Sequence, residues 1–466
     1  MKTKFYALFL LCTIAALSTS AQTQLWGTAT HGGATGQGTI FSADQYGNNF
    51  HVEYSLVNAL GAWPNGSPVL ADNHKLYGVT ELGGFGDSCV VYSYDPLTGT
   101  FTDIHDLYQY IQFGYNAKSG MFKSENGMLY GLTSNGGLNG SGVIYQVDPF
   151  TDTYTDIYDF NMTDGANPWG TLIQLLDGKL YGMTQSGGAN NAGVIFSFDP
   201  VTMVYTKLYV FDYVNGGNPT YGKLMQASDG KLYGTTQGGG NNSDGVIFSF
   251  DIASGVYTKL HDFNGTNGMY PNASLIQATN GKLYGMTANG GSYYNGVLYS
   301  YEIGTSTFSK LYDFNSIDGS NPKRGVTQAS SGKLHGTTYS GGTSGAGVAF
   351  SYDILTGTYT KQVDFNLLIG AGPDCEIIET PMLTPLSVPS LYTQAEVLVG
   401  PNPVTDYLTI TASDKNDVIT ITNVLGDELA SVQVSSFSDT KLDISEFPSV
   451  FFVRGQNSVA KKIVRQ

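Results

Sequence analysis

Apolar and polar residues alternate in short segments along most of the chain, and the segments recur in groups of four. One group reads TLIQLLDG at residues 171–178, KLYGMTQSGG at 179–188, GVIFSFDPVT at 193–202 and VYTKLYVFD at 204–212. Each segment has the alternation and the β-branched or aromatic content of a strand. Asp-Gly, Gly-Gly and Asp-Pro pairs suit the reversals between them. The pattern predicts a four-stranded antiparallel unit.

The unit occurs seven times, and its most regular phrase is KLYG or a close variant. The glycines of this phrase are spaced 51 to 53 residues apart, at Gly27, Gly78, Gly131, Gly182, Gly234, Gly285 and Gly336. Seven such units are typical of a β-propeller, in which blades stack radially around a central channel. We expect these mid-strand glycines to admit the backbone of a neighbouring blade near the axis.

The two ends of the repeat predict how the ring closes. The first unit lacks the segment that precedes KLYG in the other copies. Residues 373–380, PDCEIIET, align without gaps on PNASLIQA at 271–278 but are not followed by another KLYG. We expect this segment to complete the first blade, because such closure removes two exposed sheet edges. The predicted fold is all-β: a seven-bladed β-propeller closed by a C-terminal strand.

Other segments flank the predicted propeller of residues 22–380. Residues 1–21 combine Lys2 and Lys4 with an apolar run and small residues, as in a secretory signal peptide. Residues 381–396 contain several prolines and form a predicted linker. Residues 397–466 alternate again and suit a small β-sandwich. The sequence after residue 21 contains no run of about 18 or more apolar residues, so no transmembrane helix is predicted there.

The tail carries PNP at 401–403, LTI at 408–410, NVLGDEL at 423–429 and KKIV at 461–464. In these motifs it resembles the C-terminal sorting domain of the type IX secretion system. The resemblance implies export across a bacterial outer membrane by that machinery, followed by secretion or attachment at the cell surface.

The repeats, with their DGKLYGTT, Gly-Gly and GVIFSFD phrases, resemble the GloVer tandem-repeat family of secreted proteins. The resemblance covers residues 22 to 380. It implies an exported, propeller-like domain and brings no established activity with it.

Composition narrows the class of protein. Gly 60, Tyr 32 and Phe 24, with only 13% charged residues, favour strands and turns over helices. The 22 basic and 38 acidic residues give a net charge of −16, which disfavours nucleic acid as a partner. Outside the predicted signal peptide, only Cys89 and Cys375 remain. We expect them on one face of adjacent blades, in a geometry unfavourable for a disulfide.

Local catalytic and metal-binding motifs are absent from the sequence, and we predict no cofactor and no metal site. Most ionisable residues recur at one slot per blade, which indicates architecture. One such set of aspartates is predicted to accept hydrogen bonds from the following turn. It consists of Asp44, Asp95, Asp148, Asp199, Asp251 and Asp353.

Residues that interrupt the repeat are the candidate site. Aromatic side chains cluster beside the proline that opens the first strand of several blades, and an irregular loop and a basic pair add to the same face. The candidate ligand-binding residues are Trp63, Trp169, Tyr221, Tyr270, Tyr110, Tyr115 and Arg324. Rings around a concave mouth can stack on sugars or clasp a peptide. Alternatively, these rings fill gaps between blades.

The sequence therefore predicts an exported, non-catalytic binding propeller whose ligand is a glycan or a protein. One alternative is a carbohydrate-active enzyme, because propeller enzymes take their acids from different blades and so leave no local motif. Its candidate acids are Asp87, Asp106 and Glu125, which are expected to lie outside the strict repeat slots. A second alternative is a structural or adhesive component of the cell surface.

Overall fold

The structure is a computed structural model, and it describes residues 23–107, 114–381, 397–400, 407–412, 417–423, 428–434, 439–447, 450–455 and 461–464. The predicted signal peptide, the candidate residue Tyr110 and nearly all of the predicted linker lie outside the described residues. The chain divides into two compact units, Met1–Thr384 and Pro385–Gln466.

In its described part, the regular secondary structure of the first unit consists of β-strands and one short 3-10 helix. Its strands are β1 Thr23–Ala29, β2 Thr39–Asp44, β3 His51–Ser55, β4 Ala62–Leu70, β5 Leu76–Leu82, β6 Cys89–Asp95, β7 Thr100–Leu107, β8 Gly114–Tyr115, β9 Phe122–Lys123, β10 Leu129–Thr133, β11 Asn135–Gly136, β12 Val143–Asp148, β13 Thr153–Asp159, β14 Ile173–Gln174, β15 Leu180–Thr184, β16 Val194–Asp199, β17 Val204–Val210, β18 Met225–Gln226, β19 Leu232–Thr236, β20 Val246–Asp251, β21 Val256–Asp262, β22 Ile276–Gln277, β23 Leu283–Thr287, β24 Val297–Glu302, β25 Thr307–Asp313, β26 Thr327–Gln328, β27 Leu334–Thr338, β28 Val348–Asp353, β29 Thr358–Asp364 and β30 Ile378–Pro381. A short 3-10 helix spans Asn58–Leu60.

These strands build seven antiparallel four-stranded sheets, the blades of a β-propeller. Blade two consists of β4 to β7, and blade three of β9, β10, β12 and β13. Blades four, five, six and seven consist of β14 to β17, β18 to β21, β22 to β25 and β26 to β29, respectively. Strands β8 and β11 form an additional two-stranded sheet beside blade three. The first strand of each blade is called the inner strand below, and the face at which inner strands begin is called the top face. The predicted fold class is confirmed.

Blade one is completed from the two ends of the repeat. Strand β30 pairs antiparallel with β1, and Ile378 lies opposite Trp26. The sheet order is β3, β2, β1, β30, so the C-terminal strand takes the inner position. The predicted closure is confirmed.

The recurring aspartates at the turn after each third strand act as predicted. In blade two, the Leu97 amide donates to Asp95 Oδ1 at 2.9 Å. The same contact recurs at Asp44, Asp148, Asp199, Asp251 and Asp353. Hydrogen bonds from backbone amides hold the pKa of Asp199 below its usual range. These carboxylates therefore belong to the architecture.

The mid-strand glycines have a different neighbour from the one expected. A Cβ on Gly182 would lie 2.7 Å from Phe196 Cζ, on the strand paired with it. Gly78, Gly131, Gly234, Gly285 and Gly336 meet an aromatic ring in the same way. The prediction of a neighbouring backbone was wrong, because the space beside each glycine is filled by the cross-strand ring of its own blade.

Both described cysteines are buried, free thiols. Cys89 packs in a core that also contains Ala117 and Leu129 of blade three. The Cys375 thiol exchanges hydrogen bonds with the backbone of Thr28, at 3.2 and 3.3 Å. Burial raises the pKa of the Cys375 thiol to about 12.

The second unit contains two antiparallel sheets with a common apolar core. Its strands are β31 Val397–Gly400, β32 Tyr407–Ala412, β33 Asp417–Thr422, β34 Glu428–Val434, β35 Asp439–Asp443, β36 Val450–Gly455 and β37 Lys461–Val464. The sheet orders are β31, β32, β35 and β34, β33, β36, β37. Leu408 and Ile410 of the first sheet pack in one core with Ile419, Ile421 and Val453 of the second.

Candidate functional site

The connection into each inner strand holds one residue in the left-handed backbone region. The seven residues, one per blade, have φ between 53° and 64°: Trp63, Asn116, Asn167, Asn218, Tyr270, Asn321 and Gly372. Asn and Gly tolerate this conformation, whereas other L-residues pay about 1–2 kcal/mol for it. Trp63 and Tyr270 are therefore strained in a slot that five blades fill with residues suited to it.

After one intervening residue, or two in blade five, three successive positions of each blade enter the central channel. The first axial position holds Asn65, Lys118, Trp169, Tyr221, Asn272, Lys323 and Asp374. The second holds Gly66, Ser119, Gly170, Gly222, Ala273, Arg324 and Cys375. The third holds Ser67, Gly120, Thr171, Lys223, Ser274, Gly325 and Glu376. Small residues dominate the last two positions, as the crowding of seven inner strands near the axis requires.

Arg324 is the large exception at the second axial position, and it crosses the channel. Its Nε donates to Asp374 of blade one, and its Nη2 lies 2.7 Å from Asn65 Oδ1 of blade two. Nη2 also lies 2.7 Å from the Lys118 carbonyl oxygen of blade three. The guanidinium carbon stands 4.5 Å from the ring centroid of Tyr221 in blade five. Blade one is next to blade seven in the ring, but blades two, three and five are not, so Arg324 reaches them across the axis and fills the channel at this level.

A second bridge crosses the channel one position further in. Lys223 Nζ of blade five lies 2.6 Å from Glu376 Oε2 of blade one. The Glu376 amide also donates to Ser67 Oγ at 2.8 Å. Burial alone would raise the pKa of Glu376, but Lys223, together with Ser274 and Arg324, holds that pKa below its usual range.

Above Arg324, aromatic rings gather at the top end of the channel. The Trp169 and Tyr221 rings lie 5.2 Å apart at 57°, and Lys118 Nζ stands 6.0 Å from the Trp169 ring. On the other side, the Trp63 ring meets His31 edge to face at 5.0 Å. We call Trp63, Trp169, Tyr221 and Tyr339 the aromatic mouth. All four are partly exposed.

Charged groups line the aromatic mouth in pairs. Lys323 Nζ lies 3.2 Å from the Tyr339 ring centroid and 3.7 Å from Asp374 Oδ2. Lys118 Nζ lies 2.9 Å from Glu81 Oε1. Burial lowers the pKa of Lys323 and that of His31. The mouth thus combines ring faces with the cations Lys118 and Lys323 and the carboxylates Glu81 and Asp374, in a chain whose net charge is −16.

The structure brings together some of the predicted site residues and separates others. Trp169, Tyr221 and Arg324 are in contact, and Trp63 stands at the same end of the channel. Tyr270 occupies the strained slot of blade six and is 38% exposed. Tyr115 lies in the two-stranded sheet and packs against the core between blades two and three.

The candidate acids of the enzymatic alternative do not converge. Asp106 accepts the Phe85 amide at 2.8 Å, as Asp159 accepts that of Leu138 in the next blade. Asp106 therefore occupies a regular repeat slot, and the expectation that it lies outside such slots was wrong. Asp87 lies in the top-face loop that contains Phe85. Glu125 lies in the turn after an inner strand, at the opposite face.

Sequence reasoning missed His31, Glu81, Lys118, Tyr339 and Asp374. Glu81 and Tyr339 stand directly after the LYGVT and LHGTT phrases, where blades four and five have Gln185 and Gln237. A slot-by-slot comparison of the blades could have found them. Their pairing across the channel depends on distances that no linear pattern contains.

Among the described residues, no group of three His, Cys, Asp or Glu side chains could hold a metal ion. Within the same residues, no helix is long and apolar enough to cross a membrane.

Comparison with solved structures places the propeller among known folds. A proposed 6-phosphogluconolactonase from Bacteroides fragilis matches with a TM-score of 0.54 and 13% identity, over 78% of this chain and 99% of that one. A second, from Bacteroides uniformis, matches with a TM-score of 0.52 and 13% identity, over 77% and 99%. At this identity the likeness shows the fold alone. No curated protein matches the chain.

The fold and its C-terminal unit define an exported β-propeller. The model of the secretion system C-terminal sorting domain matches residues 399–466, and this domain directs a protein to secretion or to attachment at the cell surface. The Gloeobacter/Verrucomicrobia repeat model matches residues 108–281 and 260–381. The chain belongs to the Gloeobacter/Verrucomicrobia repeat family. Both resemblances expected from the sequence are confirmed.

Proposed function

We propose that this exported propeller is a non-catalytic binding protein whose aromatic mouth takes a glycan or a protein segment. The observation that carries the proposal is the left-handed backbone conformation of Trp63 and Tyr270. Large rings are held at φ 59° and 57° in a slot where Asn or Gly serves the other five blades. Strained residues persist where the side chain has a use beyond stability.

The chemistry of the mouth supports this proposal. Partly exposed ring faces can stack on the apolar face of a sugar or on a peptide side chain. The neighbouring Lys118 and Lys323 are paired with carboxylates, and such pairs can redirect a hydrogen bond to a ligand. Arg324 closes the channel below the rings, so the mouth is a shallow bowl and not a passage.

A glycan array and a pull-down against cell-surface extracts test the proposal. The full-length protein is compared with the double variant Trp63→Asn/Trp169→Ala. Asn is native to the strained slot in four blades, so the first substitution preserves the backbone. The matched control is Tyr294→Ala, which removes a ring that is 76% exposed on a loop of blade six.

The expected result is a ligand that the native protein and Tyr294→Ala retain and that the double variant loses. Failure of the folded native protein to retain any glycan or protein would overturn the proposal. Retention that the double variant shares would remove the mouth as the site.

A further inference from the structure

The second cross-channel bridge stands at the end of a separate chamber inside the propeller. The chamber has a volume of about 460 Å³ and extends along the inner strands of blades one to four. Arg324 and Tyr221 close it toward the aromatic mouth. It reaches Lys123 and Glu379, both partly exposed, toward the opposite face. This volume is within the range of about 300–1,000 Å³ that small-molecule sites occupy.

Three kinds of group surround the chamber. Apolar side chains that are only partly buried lie along its wall: Val69, Phe122, Ile173 and Ile378. Each inner strand is also the edge of its sheet, so one row of its backbone N–H and C=O groups faces the channel. The charged groups at the closed end, besides Arg324, are Lys223 and Glu376, whose side chains are 33% and 12% exposed.

Lys223 and Glu376 differ from every other residue at their level. The third axial position is small and neutral in the remaining five blades. Here two blades on opposite sides of the ring each supply one full charge, and the charges meet at 2.6 Å. A ligand that carries an ammonium and a carboxylate can replace this single pair with two, since Lys223 is exposed enough to turn toward a ligand.

We propose that the chamber is a binding site for a short peptide with free termini and apolar side chains. Its carboxylate pairs with Lys223, and its ammonium pairs with Glu376. Because Lys223 and Glu376 lie side by side, both termini lie at the closed end of the chamber, and the apolar side chains contact its wall. This site is separate from the aromatic mouth, because Arg324 lies between them.

Isothermal titration of the full-length protein tests the proposal with the dipeptide Leu-Leu and with N-acetyl-Leu-Leu-amide, which lacks both charges. We expect Leu-Leu to bind at least tenfold more tightly, equivalent to about 1.4 kcal/mol. Cellotriose is the glycan probe and is expected not to bind the chamber. Equal affinity for free and capped dipeptide, or no binding of Leu-Leu, would overturn the proposal without bearing on the mouth.

Variants then locate the site. Lys223→Met/Glu376→Gln removes one charge of each sign, which leaves the net charge of the chamber unchanged, and is expected to bind Leu-Leu at least tenfold more weakly. The matched control, Lys282→Met/Glu302→Gln, removes an ion pair of 3.4 Å elsewhere and should bind as the native protein does. Trp63→Asn should also leave Leu-Leu binding unchanged. Unchanged affinity in the chamber variant, or loss in Trp63→Asn, would contradict this location. If the chamber variant does not fold, the comparison of free and capped dipeptide decides.

Discussion

Substitution of Arg324 by Met tests whether this side chain stabilises the propeller by linking its blades across the channel. Met keeps most of the side-chain stem and removes the guanidinium. The change abolishes the ion pair with Asp374, two hydrogen bonds of 2.7 Å and the contact with the Tyr221 ring. The Asp374 side chain, which is only 9% exposed in the native protein, then has Lys323 Nζ 3.7 Å away as its nearest cation.

The loss of stability follows from the buried charge. Removal of one partner of a buried ion pair costs about 3–5 kcal/mol, because the other charge stays buried without compensation. Since Lys323 remains near Asp374, we expect the lower end, about 3 kcal/mol. The double variant Arg324→Met/Asp374→Asn removes both charges and should recover part of that loss.

Urea denaturation, monitored by circular dichroism, measures these changes in the free energy of unfolding. Lys282→Met is the control, because an exposed ion pair contributes about 0–1 kcal/mol. Its partner Glu302 and Lys282 itself are 33% and 42% exposed. Equal urea midpoints for Arg324→Met and Lys282→Met would refute the claim that Arg324 stabilises the propeller across its channel.

Three further predictions concern strain, protonation and crowding. Tyr270→Asn should raise the free energy of unfolding by about 1 kcal/mol in urea denaturation, because Asn relieves the left-handed backbone, and a decrease would contradict the strain. Burial lowers the pKa of His261 to about 4, so the unfolded chain binds the proton first and the stability of the protein falls as pH drops from 6.5 toward 4. Melting temperatures measured over this pH range should fall less in His261→Tyr than in the native protein. An equal fall in both proteins would contradict this prediction. Gly170→Ala should lower the melting temperature, because its Cβ would collide with the Gly222 carbonyl oxygen, whereas a Cβ on Gly222 meets its nearest atom at 3.4 Å; equal effects of the two substitutions would argue against close packing at the axis.

The repeat made most of the propeller predictable. Spacing of the KLYG glycines and the orphan segment at residues 373–380 were enough for the blade count and the closure. The hydrogen bonds in the turns were predictable as well, because Asp95 and its equivalents accept them from backbone amides only two residues further along the chain. The neighbour of Gly182 was not predictable, because the choice between a backbone and the Phe196 ring depends on side-chain packing within the sheet.

The candidate site was predictable only as a set of interruptions. The sequence marked Trp169, Tyr221 and Arg324 as irregular, and the structure brings them into contact. It gave no sign that Arg324 would use its donors on blades one, two and three. Such contacts join residues 50 to 259 positions apart, and their pairing depends on the radius of the ring.

Acrylamide quenching of tryptophan fluorescence tests most directly whether the aromatic mouth is the ligand site. The chain has three tryptophans, and Trp26 is fully buried, so quenchable emission comes from Trp63 and Trp169. A ligand selected by the glycan array or the pull-down should protect this emission at saturation, and Trp63→Asn should weaken its binding at least tenfold, about 1.4 kcal/mol. A ligand that binds both proteins equally and leaves the quenching unchanged would contradict a binding site at the mouth.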